Sequence, residues 1–454
     1  MAPFIRSVLE QVKGDVAEVL SPKKIEQICH ELNYTWRQCT LDPVTTVYAF
    51  IRQVLAGNTA CDHVPHLTGL SVTGEGYCKA RARLPVELFQ RLMKTVADAA
   101  VQSDEAAARW RGHRTWHVDG SGCSMPDTAD LQKAFGQPGG QMPGCGFPVA
   151  HLMTLFHAST GFLQRMVTAP LRTHDMAQAG RVHDALQPND VVIADRGFCS
   201  YGHLALLSLA GVFAVFRIHQ RTIVDFRKRR PHVPPKLRGK KGQRLTGIPS
   251  SRWVRSLGKQ DQIVEYFKGD QRPKWMTPED YARLPESMDV RELRYRVTQR
   301  GFRVKEVTLV TTLLDAERHP ATELAKLYLQ RWEIETNLRH LKQTLHMDVL
   351  RTKTVDGIHK ELAVYAIVYN LIRLVMLRSA KLRNVPVTRI SFIDAQRWLS
   401  HAPRGASTPP LLLLPDRPDR FEPRVRKRRP KEYDLMNKPR NELKQALTHK
   451  HVTS

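Results

Sequence analysis

Residues 191–218 read VVIADRGFCSYGHLALLSLAGVFAVFRI. VVIA is a short apolar run that leads straight into Asp195, YGHLALLSLA carries helical character as far as Gly211, and VFAVFRI is a second strand-type run. Strand, helix and strand therefore follow one another with short breaks. Upstream the series extends: TWHVD at 115–119 is a short strand ending on Asp119, and HLMTLF and FLQRMVTA flank a small turn at 158–161, which predicts a hairpin. A helix is expected over His174 to Leu186. Three strands, a helix, a strand, a helix and a strand make a mixed α/β sheet. That order matches the ribonuclease-H-like fold.

Downstream of Ile218 the pattern stops. IHQRTIVDFRKRRPHVPPKLRGKKGQRL is basic and proline-rich, carries the single acid Asp225, and cannot pack a core of its own. Strands are expected around Trp253 and Tyr266, and RELRYRV and FRVKEVTLVTTLL read as a strand pair turning at Gly301. Residues 218–303 are thus expected to be a β-rich insertion in a catalytic domain at 113–375. A long helix from about Ala321 to His346 resumes the core, and another runs from about Ile358 to Leu382. Residues 376–454 form a C-terminal helical region and basic tail, in which RVRKRRPK at 424–431 also suits a plain solvated end.

Residues 1–105 predict a helical N-terminal domain. Phe4, Val8, Leu9, Val12, Val16 and Val19 stand at helical spacing, and a break at Gly74 and Gly76 precedes a helix starting near Tyr77. Lys79, Arg81 and Arg83 cluster at its start. Such a cluster suits phosphate contacts as well as it suits an exposed face.

The chain has 454 residues, with 70 Lys+Arg against 44 Asp+Glu, a net charge of +26 and 42% hydrophobic residues. A folded and strongly cationic protein calls for a polyanionic partner, nucleic acid before a ribosome-associated or membrane-surface role. The odd set of seven cysteines with no CxxC pair reads as reduced intracellular thiols, and Cys61, His63 and His66 lack the second ligand pair of a zinc site. The N-terminus is not a signal peptide. Ala363–Leu377, interrupted by Asn370 and Arg373, is too short to span a bilayer and predicts a buried helix.

Asp119 and Asp195 each end a strand and so project from a rigid edge, although a single strand-end Asp also serves as turn former or helix cap. The expected 321–346 helix adds Y-x2-R-x3-E-x6-K, and at about 100° per residue Tyr328, Arg331, Glu335 and Lys342 share an arc of roughly 60°. An apolar stripe of Leu327, Ile334, Leu338, Leu341 and Leu345 lies beside it. An exposed helix bearing i, i+4 pairs would show the same spacing.

YLQRWEIETNLRHLKQTL at 328–345 resembles the YREK signature of the insertion-sequence-four family of bacterial DDE transposases. The same family pattern is seen in DGSGCSMPDTADLQKAFG from Asp119, in ADRGFCSYGHL around Asp195 and in EPRVRKRRPKEYDLMNKPR near the end. The resemblance covers nearly the whole chain. It implies that Asp119, Asp195 and Glu335 bind two Mg²⁺ ions, with Mn²⁺ as substitute, and that Tyr328, Arg331 and Lys342 grip phosphates of double-stranded DNA. Arg196 joins the DNA-contacting set, and Lys79, Arg81 and Arg83 become candidate contacts to terminal inverted repeats. Trp253 and Trp275 are candidates for stacking on a flipped base, or core tryptophans. The implied protein is a cut-and-paste transposase of the bacterial cytoplasm, a homodimer in its synaptic complex. A catalytically silent DNA-binding repressor and a ribonuclease-H-like nuclease are the competing readings. The first has no need of three acids, and the second does not account for the YREK face.

Overall fold

A computed structural model describes residues 20–102, 109–173, 175–233, 247–297, 306–401, 410–415 and 436–452. The apolar spacing at Phe4–Val19, the turn at Gly301 and the basic run at 424–431 lie outside the described residues.

The strands are β1 (Thr115–Ser124), β2 (Val149–His157), β3 (Leu163–Pro170), β4 (Val191–Ala194), β5 (Phe213–Arg217), β6 (Arg252–Gly258), β7 (Asp261–Phe267), β8 (Ser287–Arg296) and β9 (Glu306–Thr311). They form one nine-stranded sheet in the order β3-β2-β1-β4-β5-β9-β8-β7-β6. β4 lies parallel to both β1 and β5, while β2, β3 and β9 run antiparallel to their neighbours. The order β3-β2-β1-β4-β5 with this mixture of directions is a ribonuclease-H-like core. The hairpin between β2 and β3 turns through Gly161 at φ +70°, a conformation that glycine adopts without a Cβ clash.

Helices frame the sheet. α1 (Pro22–Glu31), α2 (Pro43–Leu55), α3 (Val64–Thr68), α4 (Gly74–Arg83) and α5 (Val86–Gln102) precede it; α6 (Ala129–Phe135), α7 (Asp175–Ala179), α8 (Tyr201–Leu209) and α9 (Pro278–Arg283) lie between strands. α10 (Ala321–Leu329), α11 (Trp332–Arg339), α12 (Val355–Arg383), α13 (Phe392–His401) and α14 (Arg440–Val452) follow. α1 and α2 start on the Ser21-Pro22 and Asp42-Pro43 pairs, in which the side chain caps a free amide and proline pre-sets the first turn.

α12 is the hub of the core. It is long and apolar enough to cross a membrane, yet 94% of that stretch is buried within the fold. Two of its fully buried polar groups bond across the fold. Asn370 bonds both the amide and the carbonyl of Leu163, and Glu361 accepts from Asn58 and from the Thr352 amide and hydroxyl.

Three expectations change, and the insertion strands find their place. The helix placed near Tyr77 starts at Gly74, where a Cβ would lie 2.7 Å from the Asp62 Cα, and it ends at Arg83 before Leu84-Pro85. Arg81 and Arg83 therefore stand in its last turn rather than the first, with Lys79 just before them. The helix expected over 174–186 is the short α7 followed by a 3₁₀ segment, Gly180–Ala185, with His174 outside the described residues. The insertion strands, whose place the sequence left open, extend the core sheet through β9. The helix expected at 321–346 is broken into α10, α11 and a π-helical turn at His340–Thr344.

Candidate active site

The register of the parallel strands places the two aspartates. Val118 pairs with Ala194 and Ala194 with Phe216, so the next residues, Asp119, Asp195 and Arg217, stand abreast, with neighbouring strands roughly 4.8 Å apart. β1 does not end on Asp119. It continues to Ser124 along β2, and Asp119 is the point at which its other partner, β4, stops. One edge of β1 is thereby opened just where the carboxylate sits. Asp119 Oδ1 accepts the Gly120 amide at 2.8 Å and Asp195 Oδ1 the Arg196 amide at 2.6 Å.

The third acid arrives from above the sheet. α10 packs through Leu324 and Leu327 on Ile193, Val215 and Leu309, whereas Ile334, Leu338 and Leu341 of the following segments enter the main core with α12. Two different cores pull on one amphipathic stripe, and the helix breaks between them. The joint is tightened: Arg331 N bonds Tyr328 O at 3.1 Å and Ile334 N bonds Arg331 O at 3.1 Å, both three residues back. Arg331 is buried beneath this joint and lies 3.5 Å from Glu335, whose carboxylate is half-exposed. Lys342 belongs to the π turn, so the arc of one continuous helix does not describe it. Its ammonium acts on buried Cys123, four residues beyond Asp119 on the same face of β1.

Electrostatics tie the cluster together. Burial pushes the Asp119 carboxyl up to about 6; the Gly120 amide and Arg331 oppose this, and Asp195 and Glu335 add to it. Burial works against the Arg331 guanidinium, but Tyr328, Asp195, Asp119 and Glu335 around it hold its pKa above the ordinary value. Burial likewise raises Tyr328, whose hydroxyl is enclosed and has no partner among the described residues. Glu333 points toward Arg373 of α12, and burial pushes it up to about 7.

The other candidates divide. Arg196 is exposed beside Asp195 and bonds Gln220 at 2.7 Å. Lys79 is exposed and paired with Glu75, and Arg83 is exposed. Arg81 is half-buried: its guanidinium covers the Phe50 ring at 4.5 Å and donates to Gln53 at 3.0 Å. Trp275 packs with Tyr201, Met276 and Tyr281 against the glycine at 202, so it is a packing tryptophan. Trp253 is half-buried on edge strand β6 with its indole N–H enclosed and unpartnered among the described residues. Arg217 and Tyr295 were not singled out by sequence, and their faces follow from sheet register alone.

Among the described residues no three His, Cys, Asp or Glu side chains converge closely enough to hold one ion. The donor chemistry nevertheless fits a hard divalent cation. Three carboxylates face a single buried guanidinium, and hard oxygen donors of this kind are the ones such an ion prefers.

A sheet of this order, with acids where the parallel pairing of its central strands stops, defines the ribonuclease-H-like class. Residues 110–371 match the family model "Transposase DDE domain", and the chain belongs to that family. Its work is accordingly DNA transposition, by phosphodiester cleavage and transfer. Transposase InsG for insertion sequence element IS4 of Escherichia coli (strain K12) is 26% identical over 377 residues, 78% of this chain and 76% of that protein. This agrees with the insertion-sequence-four affiliation. A probable transposase for insertion sequence element IS5377 of Geobacillus stearothermophilus is 32% identical over 89 residues, 20% of this chain and 23% of that one. Among solved structures, a piggyBac transposase synaptic complex with hairpin DNA matches with a TM-score of 0.41 at 9% identity, covering 88% of this chain and 80% of that chain.

Proposed function

We propose that Asp119, Asp195 and Glu335 are the catalytic acids, that they hold two Mg²⁺ ions for which Mn²⁺ substitutes, and that the substrate is the pair of terminal inverted repeats of the chain's own insertion sequence. The observation that carries this is the register Val118 to Ala194, which sets two carboxylates side by side under Arg331 and Glu335. Such ions, when bound, activate the attacking oxygen and neutralise the leaving one. The chain's own groups do the rest. Asp119 is ionised at neutral pH, since its carboxyl is pushed up only to about 6. Arg331, kept charged by Tyr328 and the facing acids against the cost of its burial, presents a planar fork suited to phosphate oxygens. Lys342 and Arg196 flank the acids with further positive charge.

The helices before residue 105 are assigned to recognition of the repeats, with Lys79 and Arg83 as phosphate contacts, and synapsis of two ends to a homodimer. The setting is the bacterial cytoplasm, at the nucleoid.

The test is to incubate the purified chain and linear DNA bearing the flanking repeats with Mg²⁺, and to follow cleavage at the repeat ends and transfer into a plasmid. Loss of both in Glu335→Ala supports the assignment. Equal products from wild type and Glu335→Ala would overturn it.

A further inference from the structure

Beside the acids, on the insertion side, lies a group of donors that the triad does not use. Arg217 pairs in register with Leu309, Leu309 with Leu293, and Val307 with Tyr295. Because paired residues share a face and alternate residues return to it, Arg217 and Tyr295 project to the same side of the sheet as Asp119 and Asp195. That side is covered by α10, and Tyr328 packs there in one cluster with Val215, Leu293 and Leu309, with Tyr295 against it.

The polar atoms of this group are unanswered. Tyr328 is 6% exposed, and its hydroxyl, the Tyr295 hydroxyl and the Arg331 Nε are enclosed with no hydrogen-bond partner among the described residues. The Arg217 side chain is half-buried, and its guanidinium forms no hydrogen bond or ion pair among the described residues. The groups act on one another: burial raises the Tyr295 hydroxyl to about 12 against the pull of Arg217, and Tyr328 is affected by Arg331, Asp195, Arg217 and Tyr295. Native structures rarely leave enclosed donors unmade. Two phenols and the Arg217 guanidinium without hydrogen-bond partners, beside an Arg331 that faces Glu335 but leaves its Nε unmade, suit a ligand with several acceptor oxygens and a negative charge.

We propose that Arg217 and Tyr295, with Tyr328 and Arg331, form a pocket for one DNA phosphodiester next to the cut, on the side facing β8 and β9. This rests on the acids being the catalytic site, and it adds Arg217 and Tyr295 to the residues that hold the DNA end. Arg217 supplies the charge and the fork. Tyr295 supplies one donor, set by the β8–β9 register.

The experiment replaces phosphates near the cut, one at a time, by neutral methylphosphonates in a duplex of the flanking inverted repeat, and measures binding. With wild type, one position weakens binding about 10- to 100-fold, the range for losing a charge-assisted hydrogen bond. In Arg217→Ala that position becomes nearly silent while the other positions keep their effects; Arg217→Lys restores part of it. Tyr295→Phe, which keeps the ring and its packing, reduces the effect at the same position. If both variants keep the wild-type pattern at every position, the pocket does not hold a phosphate. Glu335→Ala separates the two readings: it retains the methylphosphonate pattern while losing cleavage. If it cleaves like wild type, the catalytic assignment fails and the pocket loses its basis as part of a cutting site.

Discussion

Asp119 and Asp195 are held by a sheet, and Glu335 is held by a short helix between a tightened joint and a π turn. The aspartates take their positions from ladder hydrogen bonds on paired strands, and each carboxylate accepts the next residue's amide. Glu335 has a half-exposed carboxylate and a buried guanidinium at 3.5 Å as its neighbour. Two acids are thus fixed before any ligand arrives. The third sits on an element whose backbone already departs from regular helix at both ends, and such departures recur where an element must adjust at a functional site. On the proposed assignment, the aspartates are the rigid floor of the site and Glu335 its adjustable lid.

The comparison yields predictions of decreasing size. Asp195→Asn is expected to lower single-turnover cleavage by about a thousandfold or more, or about 4 kcal/mol of barrier, with the fold intact by circular dichroism. Length changes test the stiffness: Asp119→Glu should lose nearly as much, whereas Glu335→Asp should keep activity about tenfold above it by the same barrier arithmetic. Equal losses in the two would erase the distinction between floor and lid.

Gly120→Ala attacks the floor from its other face. Its Cβ would lie 2.7 Å from Asp175 Oδ1 and 3.0 Å from His151 Nε2, which themselves pair at 2.7 Å. Overpacking of this kind costs about 1–3 kcal/mol, to be read in denaturant melts, and cleavage should fall with it because the Gly120 amide holds Asp119.

Acid tests the turn behind Asp195. His203 donates through Nδ1 to the Phe198 carbonyl at 3.0 Å, so its Nε2 accepts from His183 Nε2 at 2.9 Å and both rings are neutral. Burial lowers His203 to about 3, with His183 contributing, and burial lowers His183 to about 4. The folded values lie below the ordinary 6.5, so the unfolded chain takes up protons first as pH falls. Stability is therefore full above about pH 6.5 and declines from there toward pH 4, on the order of 2 kcal/mol per histidine at pH 5. A melting temperature that does not change between pH 7 and pH 5 would contradict the buried neutral pair. The smallest effect belongs far from the acids: Lys79→Ala or Arg83→Ala should each weaken DNA binding uniformly and reduce the salt slope by about one.

Legibility from sequence followed locality. The strands at 115–119 and 191–195 were readable because an apolar run before an acid needs no distant partner to be seen, and the helix at 358–382 because it is apolar all round. The break between Leu329 and Trp332 was not readable, since the apolar stripe continues through it. It exists because Leu324 and Leu327 belong to one core and Ile334 and Leu338 to another. Arg81 read as a DNA contact because its charge is visible in sequence, while the Phe50 ring beneath it is 31 residues away. Trp275 was similarly ambiguous until its neighbours across the insertion were known.

By itself, then, the sequence determined the order of elements, the cationic character, and the identity of the candidate acids and their accompanying Tyr328, Arg331 and Lys342, all carried by runs within one element. Only the tertiary structure decided that β1 runs on past Asp119, that the insertion strands complete the same sheet, and that Arg217 stands in the row of the two aspartates. Those are matters of register between strands far apart in the chain, and register is set by hydrogen-bond pairing and core packing.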